Sequence, residues 1–187
     1  MQRVTPDRPW PLHEVAAIRT LERAAADALP PHTLMERAGL AVARLAQAVA
    51  PHAQTLWIAC GPGNNGGDGF EAALHLRQWG KAPVVTWLGD EARMPQDARV
   101  SLERARAAGV TFAAQPPAGW QLAIDALLGI GASRVPEGAL LAAIQRMNAA
   151  GAPVLAVDVP SGLDADTGSA DITVQATHTL SLLALKP

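Results

Sequence analysis

The chain has 187 residues, of which 49% are hydrophobic and 17% charged, and its formal net charge at pH 7 is −2. This length and composition predict one globular domain over residues 1–187 and leave no room for a second catalytic domain. The balanced charge argues against nucleic-acid binding, and the apolar runs are far shorter than the roughly 20 residues of a membrane helix. A single cysteine, Cys60, excludes an internal disulfide, and the first residues lack a signal-peptide pattern. We therefore expect a cytoplasmic protein without a nucleic-acid or membrane partner.

Apolar residues recur at helical spacing through the first quarter of the chain. Two stripes are separated by Pro30 and Pro31, and they consist of Val15, Ile18, Leu21 and Ala25, then Leu34, Ala38, Ala41 and Leu45. This spacing predicts two helices. We expect them to form a layer on the same domain and to provide the contact between subunits of a homodimer.

Short apolar runs then alternate with segments of helical spacing. The pattern predicts six strands, at residues 55–60, 83–88, 110–112, 122–127, 154–159 and 178–183. It predicts three further helices between them, at about residues 69–80, 96–108 and 140–149. Such alternation favours right-handed crossovers between parallel strands. The predicted fold class is α/β: a Rossmann-like, three-layer α/β/α arrangement with a mostly parallel sheet and two N-terminal helices.

A dense glycine segment, Gly-Pro-Gly-Asn-Asn-Gly-Gly-Asp-Gly, follows the first predicted strand at residues 61–69. It contains the GxGxxG pattern of dinucleotide-binding loops at Gly61, Gly63 and Gly66, and Asp90 stands at the spacing of a ribose partner. The extra residues favour a wider loop that delays the next helix to about Asp68. Backbone N–H groups in such a loop approach phosphates closely. The simpler alternative is a glycine-rich turn with Asp68 as a helix N-cap.

Carboxylates stand at the ends of two other predicted strands. Asp125 belongs to the fourth strand and Asp158 to the fifth, with Ser161 shortly after it. Ligands of open parallel sheets bind outside the carboxyl ends of the strands. Two carboxylates facing one crevice repel unless a cation or a proton intervenes, although either residue alone has a structural alternative as a hydrogen-bond acceptor. Ser161 lacks the G-x-S-x-G elbow of a hydrolase nucleophile.

Three segments together carry a specific resemblance to a known family. They are residues 61–69, residues 125–131 (Asp-Ala-Leu-Leu-Gly-Ile-Gly) and residues 157–168 (Val-Asp-Val-Pro-Ser-Gly-Leu-Asp-Ala-Asp-Thr-Gly). In order and spacing they resemble the signature segments of the NAD(P)H-hydrate epimerases, the YjeF N-terminal domain family, and the resemblance covers nearly the whole chain. It implies an isomerase that interconverts the R and S forms of hydrated NADH and NADPH, called NADHX and NADPHX, in nicotinamide-nucleotide repair.

The resemblance also implies the residues of the site. The substrate-binding residues would be Asn64, Asn65, Gly66, Gly67, Asp68, Gly129, Ile130, Gly131, Ala132, Ser133, Arg134, Val135 and Asp158. One potassium ion (K+) per subunit would be bound by Asn65, Asp125 and Ser161, whose oxygen atoms are ligands that hard cations prefer. Inversion of the hydrated carbon requires a proton to move. Asp158 is therefore the candidate catalytic acid/base.

Two other functions fit parts of this pattern. An NAD-dependent dehydrogenase would use the GxGxxG segment but would need a substrate domain, for which the chain leaves little room. A non-catalytic binding module is the other alternative, because relatives of the fold act as protein-binding scaffolds. In many bacteria relatives continue into an ADP/ATP-dependent hydrate dehydratase, so a fused or separate dehydratase is an expected partner. The presence of Asn65, Asp125, Asp158 and Ser161 favours catalysis.

Overall fold

A six-stranded parallel sheet forms the centre of the fold in the computed structural model, which describes residues 2–132 and 135–187. The strands are β1 (Thr55–Cys60), β2 (Ala82–Trp87), β3 (Thr111–Phe112), β4 (Leu122–Ala126), β5 (Val154–Val157) and β6 (His178–Leu180). Their order is β3-β2-β1-β4-β5-β6, and all five pairings are parallel. The predicted α/β fold is confirmed. The chain reverses its direction across the sheet between β3 and β4, which places a topological switch point between β1 and β4.

Five α-helices surround the sheet. They are α1 (Val15–Asp27), α2 (Thr33–Val49), α3 (Asn64–Gln78), α4 (Gln96–Ala107) and α5 (Gly138–Ala149), with a short 3-10 helix at Glu91–Arg93. No helix within the described residues is long and apolar enough to cross a membrane. The predicted helix positions are confirmed apart from the start of α3. The predicted ribose partner, Asp90, instead caps the 3-10 helix, because its side chain accepts a hydrogen bond of 3.0 Å from the Ala92 N–H.

The start of α3 corrects the sequence prediction. We expected a wide loop and a helix beginning near Asp68, but α3 begins at Asn64 and its N-cap is Gly63. The glycines serve close packing: a Cβ at Gly66 would lie 2.2 Å from the Gly61 carbonyl oxygen, and one at Gly67 would lie 2.8 Å from Met35 Cε. The first turn of α3 therefore lies directly on the end of β1 and on α2.

Helices cover both faces of the sheet. The alternating side chains of β1 point to opposite sides, so Leu56 and Ile58 pack towards α3 while Trp57 and Ala59 pack towards α5. Burial of each large side chain of this kind contributes about 1.5–3 kcal/mol. Helix α2 lies outside α3, against which Val42, Ala43 and Ala46 are buried. The three-layer prediction is confirmed, with an extra helical layer on the α3 side.

The apolar stripes of α1 and α2 are less buried than their spacing predicts. In α2 the buried residues are Met35, Gly39, Val42, Ala43 and Ala46, one position away from the predicted stripe. In α1 only Ile18 is buried, and Leu21 is 47% exposed. The reason is that the predicted stripe of α2 faces a cavity: Leu34, Ala38 and Ala41 line it.

The two ends of the chain meet beside this cavity. Leu12 and Leu185 form an isolated parallel bridge, and the His13 N–H donates to the Leu185 carbonyl at 2.8 Å. The Val15 N–H at the start of α1 donates to Asp166 Oδ1 at 2.7 Å. These contacts hold α1 and the segment around Lys186 against the same end of the sheet.

Candidate functional site

A cavity of about 870 Å³ opens where the carboxyl ends of the central strands meet α1 and α2. Small-molecule sites usually have volumes of about 300–1,000 Å³. Its lining comes from eight parts of the chain: α1, the turn before α2, α2 itself, the start of α3, the start of α4, and the segments after β4, β5 and β6. They include Ile18, Arg19, Glu22, His32, Leu34, Arg37, Ala38, Asn64, Asn65, Asp68, Asp97, Gly129, Ile130, Asp158 and Leu182.

The wall formed by α1 and α2 combines apolar side chains, such as Ile18 and Leu34, with charged ones, such as Arg19 and Arg37. The sheet side adds the carboxyl groups of Asp68 and Asp158. A ligand with a flat apolar ring and polar substituents is complementary to this arrangement. The helices that we expected to form an outer layer therefore form part of the site.

The start of α3 offers backbone donors to this cavity. The first helical hydrogen bond of α3 runs from the Gly67 N–H to the Gly63 carbonyl, at 3.3 Å. The N–H groups that precede Gly67 in the first turn therefore have no helical acceptor. The space beside Gly63 is open, because a Cβ placed there would meet nothing within 4 Å. Free N–H groups and the positive end of the helix dipole suit an anionic group such as a phosphate.

The structure brings the first two predicted substrate segments together. A Cβ on Gly129 would lie 3.5 Å from Asn65 Oδ1, so the loop after β4 packs on the first turn of α3. Asn65 Nδ2 is buried, and no hydrogen-bond partner for it exists in the described part of the chain. Asn64, Asn65 and Asp68 line the cavity together with the loop residues Gly129, Ile130, Gly131 and Ala132.

Three other predicted substrate residues are not part of the cavity lining. Gly66 and Gly67 are packing positions in α3. Val135 is half exposed and lines a smaller neighbouring cavity of about 250 Å³. The predicted residues Ser133 and Arg134 lie outside the described residues. Substrate contact by these five residues stays a prediction.

Asp125 and Ser161 meet beneath the cavity in a fully buried cluster. Asp125 Oδ1 accepts hydrogen bonds from Ser161 Oγ at 2.6 Å and from the Leu127 N–H at 3.2 Å, and Oδ2 accepts from the Ser161 N–H at 2.8 Å. Ser161 Oγ also accepts from the Leu128 N–H at 2.9 Å. Burial raises the pKa of Asp125 to about 6, although these hydrogen bonds oppose the increase. The carboxylate therefore has three dipolar partners and, among the described residues, no cationic side chain.

Asp158 lies at the end of β5 in a left-handed backbone conformation with φ of 71°. Aspartate tolerates this conformation better than most residues, and the resulting turn places the side chain on the cavity surface. Asp158 Oδ1 accepts from the Leu182 N–H at 3.2 Å and forms a short ion pair with Lys186 Nζ. The side chain of Lys186 is buried.

Asp68 is a second carboxyl group that lines the cavity beside the strand ends. It is buried in the first half of α3, and no hydrogen bond or ion pair to it is formed within residues 2–132 and 135–187. Burial raises its pKa well above the usual range, and the charges of Asp158, Glu22 and Glu71 raise it further. The alternative prediction that Asp68 is a helix N-cap is wrong, because Asp68 lies inside α3.

Sequence reasoning missed the partner of Asp158 and a charged cluster at the cavity wall. Lys186 is 28 residues beyond Asp158, and no spacing rule connects the two. His32 Nε2 lies 3.0 Å from the fully buried Glu71 Oε1, which also pairs with Arg104 Nε at 3.0 Å. This cluster ties the start of α2 to α3 and α4. The density of charged residues in α2–α4 was its only sequence signal.

The comparisons with known proteins agree with this geometry. A family model described as YjeF-related protein N-terminus matches residues 31–187. The chain is 44% identical over 167 residues to the NAD(P)H-hydrate epimerase of Rhodobacter capsulatus, covering 80% of this chain and 76% of that protein. It is 35% identical over 167 residues to the NAD(P)H-hydrate epimerase of Rhodopirellula baltica, covering 84% and 68%.

Two further similarities concern a longer protein and a solved structure. The bifunctional NAD(P)H-hydrate repair enzyme Nnr of Escherichia coli is 36% identical over 176 residues, which are 91% of this chain but 34% of that protein. The chain thus spans about a third of the length of the bifunctional relative. The crystal structure of the yeast protein ynu0 (YNL200c) has a TM-score of 0.84 at 21% identity, covering 95% of this chain and 82% of the yeast chain. This last similarity is one of fold.

Proposed function

The chain belongs to the YjeF-related N-terminal family and is a relative of the NAD(P)H-hydrate epimerases, and we propose that it interconverts the R and S epimers of hydrated NADH and NADPH. The observation that carries the proposal is the cavity in which Asn65, Gly129 and Asp158 meet, in a chain up to 44% identical to proteins with that name. The apolar side chains that α1 and α2 contribute to the cavity suit the nicotinamide ring. The N-terminus of α3 suits the phosphates.

The chemistry needs a proton carrier and a site that holds the ring in place. In the hydrate, C6 carries a hydroxyl group and is bonded to the ring nitrogen. Inversion breaks one of these bonds and forms it again on the other face, either by ring opening or by transient loss of the hydroxyl group. A carboxylate within hydrogen-bond reach can move the proton, and Asp158 is the cavity-lining candidate. The cavity contributes by holding the reacting atoms in position.

The Asp125 cluster supports the proposal of a resident K+ ion. The residues fit a hard cation: Asp125 is a buried carboxylate without a cationic partner among the described residues, Ser161 adds a hydroxyl oxygen, and Asn65 offers an amide oxygen. The described residues contain no group of three or more His, Cys, Asp or Glu side chains suited to a metal, so a zinc-type site has no support. A bound K+ would supply positive charge beneath the loop of residues 127–131.

The relatives also bear on the partners of the protein and on its cellular location. The bifunctional repair enzymes among the relatives support a second repair activity, which we take to be an ADP/ATP-dependent dehydratase that is fused or separate. The homodimer through the N-terminal helices and the single domain over residues 1–187 stay predictions. A cytoplasmic location is consistent with the buried free thiol of Cys60.

The deciding experiment follows both epimers of the hydrate with time. Chiral HPLC of purified R-NADHX incubated with the protein should show rapid approach to the R/S equilibrium, while the total amount of hydrate and reduced cofactor stays constant. A sample without protein measures the slow uncatalysed reaction, which is subtracted. NADH oxidation that requires a second substrate would support the dehydrogenase alternative. A rate equal to the uncatalysed one would support the scaffold alternative.

A further inference from the structure

Two carboxyl groups in the same cavity have opposite surroundings. Asp158 forms an ion pair with Lys186, whereas Asp68 has no hydrogen-bond or ion-pair partner in the described segments of the chain. Both side chains line the cavity and both are buried from bulk solvent. An unpaired carboxylate is costly in such a place, so the neutral acid is the favoured form of Asp68. Lys186 gives Asp158 the counter-charge that Asp68 lacks.

Three hydrogen bonds fix the position of the Lys186 ammonium group. Its Nζ donates to Asp158 Oδ1, to Ser181 Oγ at 3.0 Å and to the Leu182 carbonyl at 3.0 Å. An ammonium group has three donors, so all of them are used. The two contacts to Asp158 both involve Oδ1. Oδ2 has no partner among the described residues and is therefore the oxygen available to a ligand.

We propose that Asp68 is the proton donor and Asp158 the proton acceptor of the epimerisation, and that Lys186 is the positioning residue that holds Asp158 through their ion pair. The inference rests on the proposed function and extends it from one catalytic carboxylate to an acid and base pair. Two carboxyl groups with contrasting surroundings in one cavity are the usual signature of such a pair. The raised pKa of Asp68, caused first by burial and then by the charge of Asp158, is consistent with this assignment.

The pair permits a balanced ring opening. Asp158 takes the proton of the C6 hydroxyl group, and the O–H electron pair forms the C6=O double bond. The N1–C6 bond breaks, its electron pair moves to N1, and N1 takes the proton of Asp68. After rotation about the C5–C6 bond, N1 attacks the other face of the aldehyde. The proton on N1 then returns to Asp68 and Asp158 gives its proton to the oxygen, so both groups regain their starting states without an oxidant or reductant.

The first test replaces Asp68 by asparagine, which keeps the size of the side chain but cannot transfer the proton. We expect the rate at saturating R-NADHX to fall about 10²- to 10⁴-fold, the usual loss for general acid–base catalysis. Hydrate affinity measured by calorimetry should change little, and the thermal midpoint should not fall, because one neutral group replaces another. The matched control is Asp27→Asn, which changes an exposed carboxylate that does not line the cavity and should keep the wild-type rate.

The pH profile separates a proton donor from a structural residue. The wild-type rate should fall at high pH, when Asp68 loses its proton. Asp68→Asn should lack the high-pH decrease. A wild-type rate in Asp68→Asn would overturn the proposal, and so would a slow variant that keeps the high-pH decrease. If the wild-type protein itself does not epimerise the hydrate, the proposed function fails as well, and that result is distinct from both.

The second test addresses Lys186. Lys186→Gln removes the ion pair that holds Asp158, so the rate at saturating R-NADHX should fall more than the hydrate affinity, whereas Lys186→Arg keeps a cation beside Asp158 and should keep most of the rate. A purely structural lysine would lower the thermal midpoint and leave the rate per folded molecule at the wild-type value, and that outcome would overturn the positioning role. The charged and titratable groups facing the pair are Glu22, Glu71 and Cys60 around Asp68, and Arg19, His32, Arg37 and Asp97 across the cavity.

Discussion

The ends of two neighbouring strands, β4 and β5, present carboxylates in contrasting ways. Asp125 on β4 is fully enclosed, and its oxygens accept two backbone N–H groups and one hydroxyl group. Asp158 after β5 lies on the cavity surface, adopts a left-handed conformation and pairs with Lys186. The first carboxylate is embedded in the fold, and the second faces the space where a ligand would bind.

This difference shows that position at a strand end does not by itself define a role. Both residues satisfy the rule that ligands bind at the carboxyl ends of parallel strands. Their partners distinguish them, because an enclosed carboxylate surrounded by dipoles attracts a cation, whereas Asp158 is paired with Lys186 beside an open cavity and can reach a ligand. Changes at the two positions should therefore affect different measurements.

The largest expected effect is on catalysis at Asp158. In Asp158→Asn the amide oxygen can still accept from Leu182 and Lys186, but the group no longer takes a proton, so the rate at saturating hydrate should fall about 10²- to 10⁴-fold. The measurement is the epimerisation rate by chiral HPLC, together with hydrate affinity by calorimetry. A variant with the wild-type rate would remove Asp158 from the catalytic role.

The unpaired ammonium in that variant requires its own control. Lys186 is buried, and a buried charge without its counter-charge destabilises the fold. The double variant Asp158→Asn, Lys186→Gln removes both charges and should regain thermal stability without regaining the rate. Recovery of the rate together with stability would show that the single variant was slow only because it was poorly folded.

The next effect is on stability at Asp125. Asp125→Ala leaves the buried N–H groups of Leu127 and Ser161 without their acceptor, so the free energy of unfolding should fall by about 2–4 kcal/mol, because each unsatisfied buried donor costs about 1–3 kcal/mol. Urea unfolding measures this change.

Asp164 offers a matched control for this prediction. Its carboxylate also accepts two backbone N–H groups and one hydroxyl group, from Asp166 and Thr167, but it is exposed. Water can replace it there, so Asp164→Ala should lower the free energy of unfolding much less than Asp125→Ala does. Equal losses for the two variants would contradict the claim that enclosure distinguishes Asp125.

The smallest expected effect is the response to K+. A cation that binds only the folded protein at ten times its Kd contributes about 1.4 kcal/mol, which raises the Tm of a chain of this size by about 3–6 °C. Potassium chloride should therefore raise the Tm more than tetramethylammonium chloride at equal ionic strength. Asp125→Ala should respond equally to both salts, whereas Asp158→Asn should keep the difference. A potassium-specific response that survives in Asp125→Ala would contradict the site.

Local patterns in the sequence were sufficient for much of the fold. The run Thr55–Cys60 and the helical spacing of residues 96–108 predicted their elements to within about one residue, because hydrophobic periodicity reflects local geometry. The glycine segment misled the prediction of α3, because glycine serves both loops and close helix packing. Tertiary contacts, such as that of Gly67 with Met35, show that the glycines here serve helix packing and not a loop.

The sequence by itself determined the α/β fold, the family and the three segments that converge on the site, because periodicity and motif order are properties of the chain. The tertiary structure alone decided which carboxylate is enclosed and which is open. Asp125 meets Ser161 36 residues away, and Asp158 meets Lys186 28 residues away. Such contacts depend on how β4, β5 and the end of the chain lie together, and the protonation state of each carboxyl group follows from those contacts.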